Sequence, residues 1–362
     1  MKVTANNFIY CTRNKHSEGF PDGLYYLADR QTIFIKPSVV LIKYDHKNFL
    51  LNNDESKATF YPVIKFDKEF DYKSFISNKN ENSIFFKTKT NKQEYIKRVN
   101  LLKQHIQQGD IYEINYCIEF FAEDVDINEW TLFDKVNKLS EAPYTCLAKL
   151  DDEIIISASP ELFLRKNKDV LETKPIKGTI KRSANKEEDE QLKENLHSSI
   201  KEQTENVMIV DVARNDLSVI AQKASVVVNK LFAIESFKTV HQMVSTVSCK
   251  VKPNLSFSDI IQATFPMPSM TGAPKIRAME LIDEYEQFNR NNYSGTIGFI
   301  NEDSSFNLSV IIRSVFYNIK TKRLSISVGS AITHLCNPES EHEECLLKAE
   351  ALLKALNGTI QE

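Results

Sequence analysis

The chain has 362 residues, 42% of them hydrophobic and 26% charged, with a net charge of −3. That length supports one large domain or two ordinary ones with a core that needs no covalent staples, and the near-neutral balance leaves no basic field for nucleic acid. The six cysteines form no Cys-x-x-Cys pair and the seven histidines no His-x-x-x-His pair, which points away from a disulfide framework and from zinc, and toward free buried thiols.

The N-terminus lacks an apolar signal region and no run of about 18 apolar residues occurs, so the expectation is a cytoplasmic protein with no membrane span. Up to about residue 65, Leu24–Leu27, Ile33–Ile35, Val39–Ile42 and Tyr61–Phe66 read as short strands. Residues 67–92 are rich in Lys, Asn and Asp, interrupted by Ile84-Phe85-Phe86. They suggest a boundary between a short β-rich part, 1–90, and a main domain, 91–362. Tyr95, Ile96, Val99, Leu102 and Ile106 recur at helical spacing, with Gly109 at the C-cap position. A strand follows at 111–121, a helix at 128–140 and strands at 144–150 and 153–158. Helices fit 186–200 and 204–221, and strands fit 226–234 and 244–251. Thr271 is placed to cap a helix running to about Glu286. Strands at 293–301, 306–318 and 323–328 precede a last helix at 339–356, closed by Gly358. Strands in runs without strict βαβ alternation predict an α+β fold with large antiparallel sheets flanked by helices.

Glu202 and Glu205 are an i,i+3 pair on one predicted helix, and Glu341 and Glu344 are another on the last helix. Such spacing puts both carboxylates of a pair on one face. The two pairs read either as solvated helix faces or as oxygen ligands converging on a hard cation such as Mg²⁺. Lys177, between Ile176 and Gly178, is either a surface lysine or one whose pKa apolar neighbours lower into the nucleophilic range. The small residues Ser269 to Ala273 open a helix and suit an N-cap or an anion site, and Gly329-Ser330-Ala331 forms a similar turn. Arg313 follows the apolar run Val310-Ile311-Ile312 and is either an arginine on a solvated strand face or one that invites a carboxylate, from the protein or from a ligand. His241, beside a strand, reads as a structural or a functional histidine.

Taken together, GDIYEIN at 109–115, SPELF at 159–163, PIKGT at 175–179, ENVMIVDVARNDL at 205–217, TGAPKIRAMELI at 271–282, YSGTIGF at 293–299 and the final ESEHEECLLKAEALL resemble the chorismate-utilising enzymes. That family includes anthranilate synthase component I, aminodeoxychorismate synthase component I, isochorismate synthases and salicylate synthases. The resemblance covers about 93–356 in order and implies the family's fold. It implies that Glu205 and Glu344 bind Mg²⁺, with Glu202 and Glu341 beside them. Arg313 and Tyr293 would hold the enolpyruvyl carboxylate of chorismate, and Gly329, Ser330 and Ala331 the ring carboxylate. Thr271 and Gly272 would form a substrate-facing helix start. His241 would lie near the leaving hydroxyl, and Glu161 would serve as an acid/base group.

Two positions choose among family members. Lysine in PIKGT resembles the aminodeoxychorismate branch, where anthranilate synthases have alanine. Glu113 stands where water-adding members carry lysine. The implied reaction is amination of chorismate by a lysine nucleophile, with ammonia from a glutamine amidotransferase partner; the alternatives are an anthranilate synthase component I and a weakly catalytic chorismate-binding subunit. No amidotransferase, fused lyase or tryptophan-binding Leu-Leu-Glu-Ser segment is evident, so tryptophan feedback is not expected. The chain departs from the family at Met267-Pro268, where glycines are usual, at Ser330-Ala331 in the glycine turn, at Lys174 for arginine and at Glu113 for glutamine.

Overall fold

The computed structural model describes residues 7–12, 19–31, 36–44, 58–77 and 83–361. In chain order the described elements are β1 (Asn7–Cys11), β2 (Gly23–Leu27), β3 (Ser38–Tyr44), β4 (Ala58–Asp67), β5 (Ile84–Thr88), α1 (Lys92–Gln108), β6 (Glu113–Ala122), α2 (Glu129–Ser140), β7 (Tyr144–Leu150), β8 (Glu153–Ser159), β9 (Leu162–Asn167), β10 (Val170–Lys174), β11 (Ile176–Lys181), α3 (Lys186–Ser198), α4 (Ile200–Ile220), β12 (Val227–Ser236), β13 (Val240–Lys250), α5 (Phe257–Thr264), β14 (Gly272–Ala273), α6 (Lys275–Tyr285), β15 (Asn291–Ile300), β16 (Phe306–Val310), β17 (Ser314–Asn318), β18 (Arg323–Ile332), α7 (Pro338–Ala355) and β19 (Gly358–Ile360). The predicted strand at 33–35 lies outside the described residues.

Central strands of this chain are apolar on both faces, and that dictates the layering. In β3, Val39 and Leu41 join one core while Val40 and Ile42 join another. Side chains alternate along a strand, so a run such as VVLI must lie between two apolar layers. The first antiparallel sheet runs β4–β2–β1–β7–β8–β17–β18–β6. Both β5 and β14 add to the far edge of β6. The second runs β4–β3–β15–β16–β9–β10–β13 and ends with β12; β11 continues the β10 edge of β13. Strand β4 belongs to both, pairing with β3 through 58–62 and with β2 through 63–67. One core, with Ile9, Cys146, Val39 and Ile297, fills the space between the sheets. A second packs α1, α2, α6 and α7 on the outer face of the first sheet. A third packs α4 and α5 on the outer face of the second. The expected α+β architecture of antiparallel sheets flanked by helices is the one observed.

Three local expectations need correction. Thr271 does not cap α6. That helix starts at Lys275 after Pro274, and the Thr271 hydroxyl donates to Met267 O at 3.1 Å. The stretch 306–318 is two strands, β16 and β17, because the chain breaks at 311–313 and Arg313 takes φ +52°. Gly358 belongs to β19, which pairs with β5, and the last helix ends at Ala355 with Leu356 as its C-cap. By contrast α1 follows its apolar spacing closely: Asn91 caps it by accepting from Glu94 N at 2.9 Å, and Gly109 ends it at φ +85°. No described helix is long and apolar enough to cross a membrane.

Candidate active site

A cleft of about 890 Å³ opens between β11, β18, α4, α7 and the 311–313 break. The break gives Arg313 its position. Leaving the strand ladder turns the guanidinium into the cleft, where Nη1 donates to Lys348 O at 3.0 Å. No carboxylate of the described residues pairs with it, although an internal salt bridge was one of the readings of the sequence. Burial pulls the Arg313 pKa down, with Tyr293 and Glu344 opposing. A guanidinium carries five donors, and among the described residues only this one acceptor meets them, so donors are left to receive a ligand carboxylate. Tyr293, 3% exposed, lines the same wall.

Lys177 projects from β11 and is 8% exposed. Its environment differs from the apolar one expected. The ammonium donates to Glu113 Oε1, and Glu205 and Glu161 add to the field around it. Burial pulls the lysine pKa down, but these carboxylates outweigh it and the net direction is up. The Glu113 side chain is fully buried, and its Oε2 has no partner. Gly178 takes φ +89°, and a Cβ there would stand 2.9 Å from Glu202 Oε2. The glycine is therefore needed for its backbone conformation and to let β11 pass under α4. Glu161, 4% exposed, lines the cleft near Lys177, and burial pushes its pKa up to about 7 despite that lysine.

Of the two glutamate pairs, Glu202, Glu205 and Glu344 line the cleft, and Glu341 is tied to it by Lys201. Glu202 and Glu205 ride on α4, and Glu341 and Glu344 on α7. Burial pushes Glu205 up to about 8 and raises Glu202 and Glu341. Burial acts the same way on Glu344, but Lys348 at 2.6 Å reverses it and the net direction is down. Lys348 also donates to Gly329 O at 2.8 Å. Lys201 bridges the helices: its Nζ lies 3.1 Å from Glu341 Oε1 and 3.9 Å from Glu205 Oε1. Glu205 Oε1 is buried and accepts no hydrogen bond. Among the described residues no three His, Cys, Asp or Glu side chains gather closely enough to hold a metal ion.

Lys177, Glu161, Glu202, Glu205, Tyr293, Arg313, Gly329, Ala331 and Glu344 thus line one cleft. Glu341 reaches it through Lys201. Four other candidates are not brought to the lining. Strand alternation turns Ser330 away from Gly329 and Ala331, and its Oγ lies 2.7 Å from the Tyr95 hydroxyl. Thr271 and Gly272 are spent on pairing with β6, where a Cβ at Gly272 would stand 2.2 Å from Glu113 O. His241 is engaged at both nitrogens, Nδ1 at 2.8 Å from Ser236 Oγ and Nε2 at 3.1 Å from Asp189 Oδ1. Behind the wall, Arg290 and Glu286 form a buried pair; Arg290 donates to Met270 O at 2.7 Å and Asn115 O at 2.8 Å. The sequence reading missed Lys201 and Lys348, although both stand at i,i+4 from a site glutamate, a spacing readable along a helix.

Comparison with known proteins agrees with this geometry. The family described as chorismate binding enzyme matches residues 4–354. The chain is 34% identical over 352 residues to the chloroplastic aminodeoxychorismate synthase of Arabidopsis thaliana, covering 95% of the chain and 38% of that relative. It is 36% identical over 265 residues to aminodeoxychorismate synthase component 1 of Salmonella typhimurium, covering 73% and 58%. The chain therefore spans about two fifths and under two thirds of these relatives' lengths. Among solved structures, anthranilate synthase component I from Streptococcus pneumoniae superposes with a TM-score of 0.73 at 22% identity, over 98% of this chain and 93% of that one. With the family match running through nearly the whole chain, and through every strand and helix that lines the cleft, this protein belongs to the chorismate-binding enzymes.

Proposed function

We propose that the chain aminates chorismate to 4-amino-4-deoxychorismate, the precursor of p-aminobenzoate and folate. One observation carries the reading: a buried lysine, Lys177, lines the cleft that also holds the unpaired Arg313 guanidinium. Chorismate is a dianion with a hydroxyl that leaves poorly. Arg313 pairs one carboxylate as a planar fork, beside Tyr293, and the main chain at Gly329 and Ala331 faces the other. The Lys177 ammonium passes a proton to Glu113, already its hydrogen-bond partner. The freed amine attacks ring carbon 2, the two conjugated ring double bonds shift together toward carbon 4, and the bond from carbon 4 to its hydroxyl breaks. Glu161, with a pKa near neutrality, gives that hydroxyl the proton with which it leaves as water. Ammonia then adds at carbon 4 as an ammonium group, both double bonds shift back, the bond from carbon 2 to Lys177 breaks, and the lysine amine recovers its proton from Glu113. His241 takes no part in this scheme, since both its nitrogens are occupied.

In kind, the site's donors suit one Mg²⁺. They are hard carboxylate oxygens, which this cation prefers, and one of them, Glu205 Oε1, is buried without a hydrogen-bond partner. Glu205 and Glu344 would hold the ion, with Glu202 and Glu341 beside them. Bound there, it would neutralise carboxylate charge on the substrate. Ammonia would come from a glutamine amidotransferase partner, and the chain would work in the cytoplasm. The test is product analysis by mass spectrometry with chorismate, MgCl₂ and ammonium chloride. Aminodeoxychorismate is the expected product. Anthranilate would identify the other amination, and no product would leave a binding subunit.

A further inference from the structure

The two glutamate pairs of α4 and α7 are not gathered as a metal set among the described residues, and an ammonium stands among them. Lys201 Nζ is 3.1 Å from Glu341 Oε1 on α7 and 3.9 Å from Glu205 Oε1 on its own helix, α4. The two carboxylates are nearly buried, with side chains 3% and 7% exposed, while the Lys201 side chain is 49% exposed. The acids are thus fixed by packing, and the lysine is the member that has solvent to move into. Lys348 holds Glu344 in the same manner, but it is anchored by a second bond to Gly329 O. Among the described residues Lys201 makes no such second bond: its ion pairs are to these two glutamates, with Glu202 adding to the field around it.

We propose that Lys201 is a built-in counter-cation that occupies the divalent-metal position, and that Mg²⁺ binds by exchange, with the Lys201 ammonium swinging out to solvent as the ion arrives. The inference rests on the magnesium reading above. It concerns an order of events: the two helices are already linked by a cation of the protein's own, so metal loading replaces one cation by another between them. It also sets a direction. An ammonium competing for the same oxygens weakens metal affinity, so its removal must tighten binding.

The test is calorimetric titration of the full chain and of Lys201→Gln with MgCl₂, with no substrate present. The variant is expected to bind Mg²⁺ about three- to fivefold more tightly, the scale of one partly exposed ion pair. A second measurement needs no variant: acetylation of the parent chain by an amine-reactive ester, read peptide by peptide by mass spectrometry. Saturating MgCl₂ should speed modification of Lys201 while leaving that of exposed Lys186 unchanged. Equal or weaker binding by Lys201→Gln overturns the exchange, as does Mg²⁺ that slows or fails to alter Lys201 acetylation. If neither chain binds Mg²⁺, the magnesium reading itself falls and the exchange with it. Tight binding by the parent with no gain in the variant sinks the exchange alone.

Discussion

Lys177 has Glu113 in contact and Glu161 and Glu205 within electrostatic reach, so its charge state is set by carboxylates rather than by apolar neighbours. Substituting Lys177→Ala removes the proposed nucleophile and leaves the proposed carboxylate-binding groups in place. Aminodeoxychorismate formation should fall by more than about tenfold, roughly 1.4 kcal/mol of barrier, with the KM for chorismate changed far less. Steady-state kinetics decide it: an unchanged kcat removes the lysine from the chemistry. Glu161 makes a prediction about pH. Its folded pKa, about 7, lies above the ordinary 4.5, so the folded state favours the neutral acid. The associated stability is fully present below about 4.5 and is lost as pH rises through 7, a cost of about 3 kcal/mol once ionised. Glu161→Gln should therefore melt higher than the parent at pH 8, with the advantage vanishing near pH 4.5, while turnover collapses. Thermal melts across that range would refute the assignment if the difference were flat with pH. Lys177 and Glu161 could be singled out from the sequence because their motifs resemble a family's. The pairing of Lys177 with Glu113 could not, because those residues are 64 positions apart and no local spacing connects β6 to β11.

Elements were legible where a single face repeats. The spacing of Tyr95, Val99 and Leu102 gives α1 because all three are buried on one stripe. The two glutamate pairs were visible as i,i+3 neighbours, and both helices exist. Segments whose pattern mixes faces were not legible. Strands β9, β10 and β11 carry polar residues such as Arg165, Lys166, Glu172 and Lys174 on partly exposed positions, which blurs the alternation that marks a strand. The short α5 was missed for lack of length; a capping box at Ser256 and Asp259 was its one local signal. The break before Arg313 was hidden inside a run of apolar residues, since hydrophobicity does not encode a φ of +52°. Gly178 shows an element-level constraint acting on the site. An alanine there would have to adopt φ +89° with its Cβ 2.9 Å from Glu202 Oε2. Gly178→Ala should destabilise the fold by about 1–3 kcal/mol and push Glu202 out of line. Circular dichroism melts and Mg²⁺ titration of the variant would read the two effects separately. A variant with parental stability would mean that β11 can shift away from α4 at little cost.

At the scale of the whole molecule, the layered fold brings together residues from β11, β18, α4, α7 and the strand break, and it also hides every thiol. All six cysteines of the chain are buried, and burial pushes each of their pKa values up. Nucleophilic sulfur is the thiolate, and reactive cysteines sit in accessible, electropositive surroundings. Cys117 has the buried Arg290 nearby, yet burial still dominates and its thiol stays neutral. None of the six can therefore serve as the nucleophile that releases ammonia from glutamine in a cysteine-dependent amidotransferase. The 362-residue chain on its own should form aminodeoxychorismate from chorismate with ammonium chloride and form none with glutamine. The rate with ammonium salts should climb as pH rises toward the ammonia pKa, because free ammonia is the species that adds at carbon 4. The Glu161 acid pulls the other way above about 7, so the profile should peak rather than rise without limit. Supplying glutamine together with a separate glutaminase chain should restore glutamine-dependent turnover through ammonia. Glutamine-dependent product from the pure chain alone would contradict the neutrality of its buried thiols and the proposed partner.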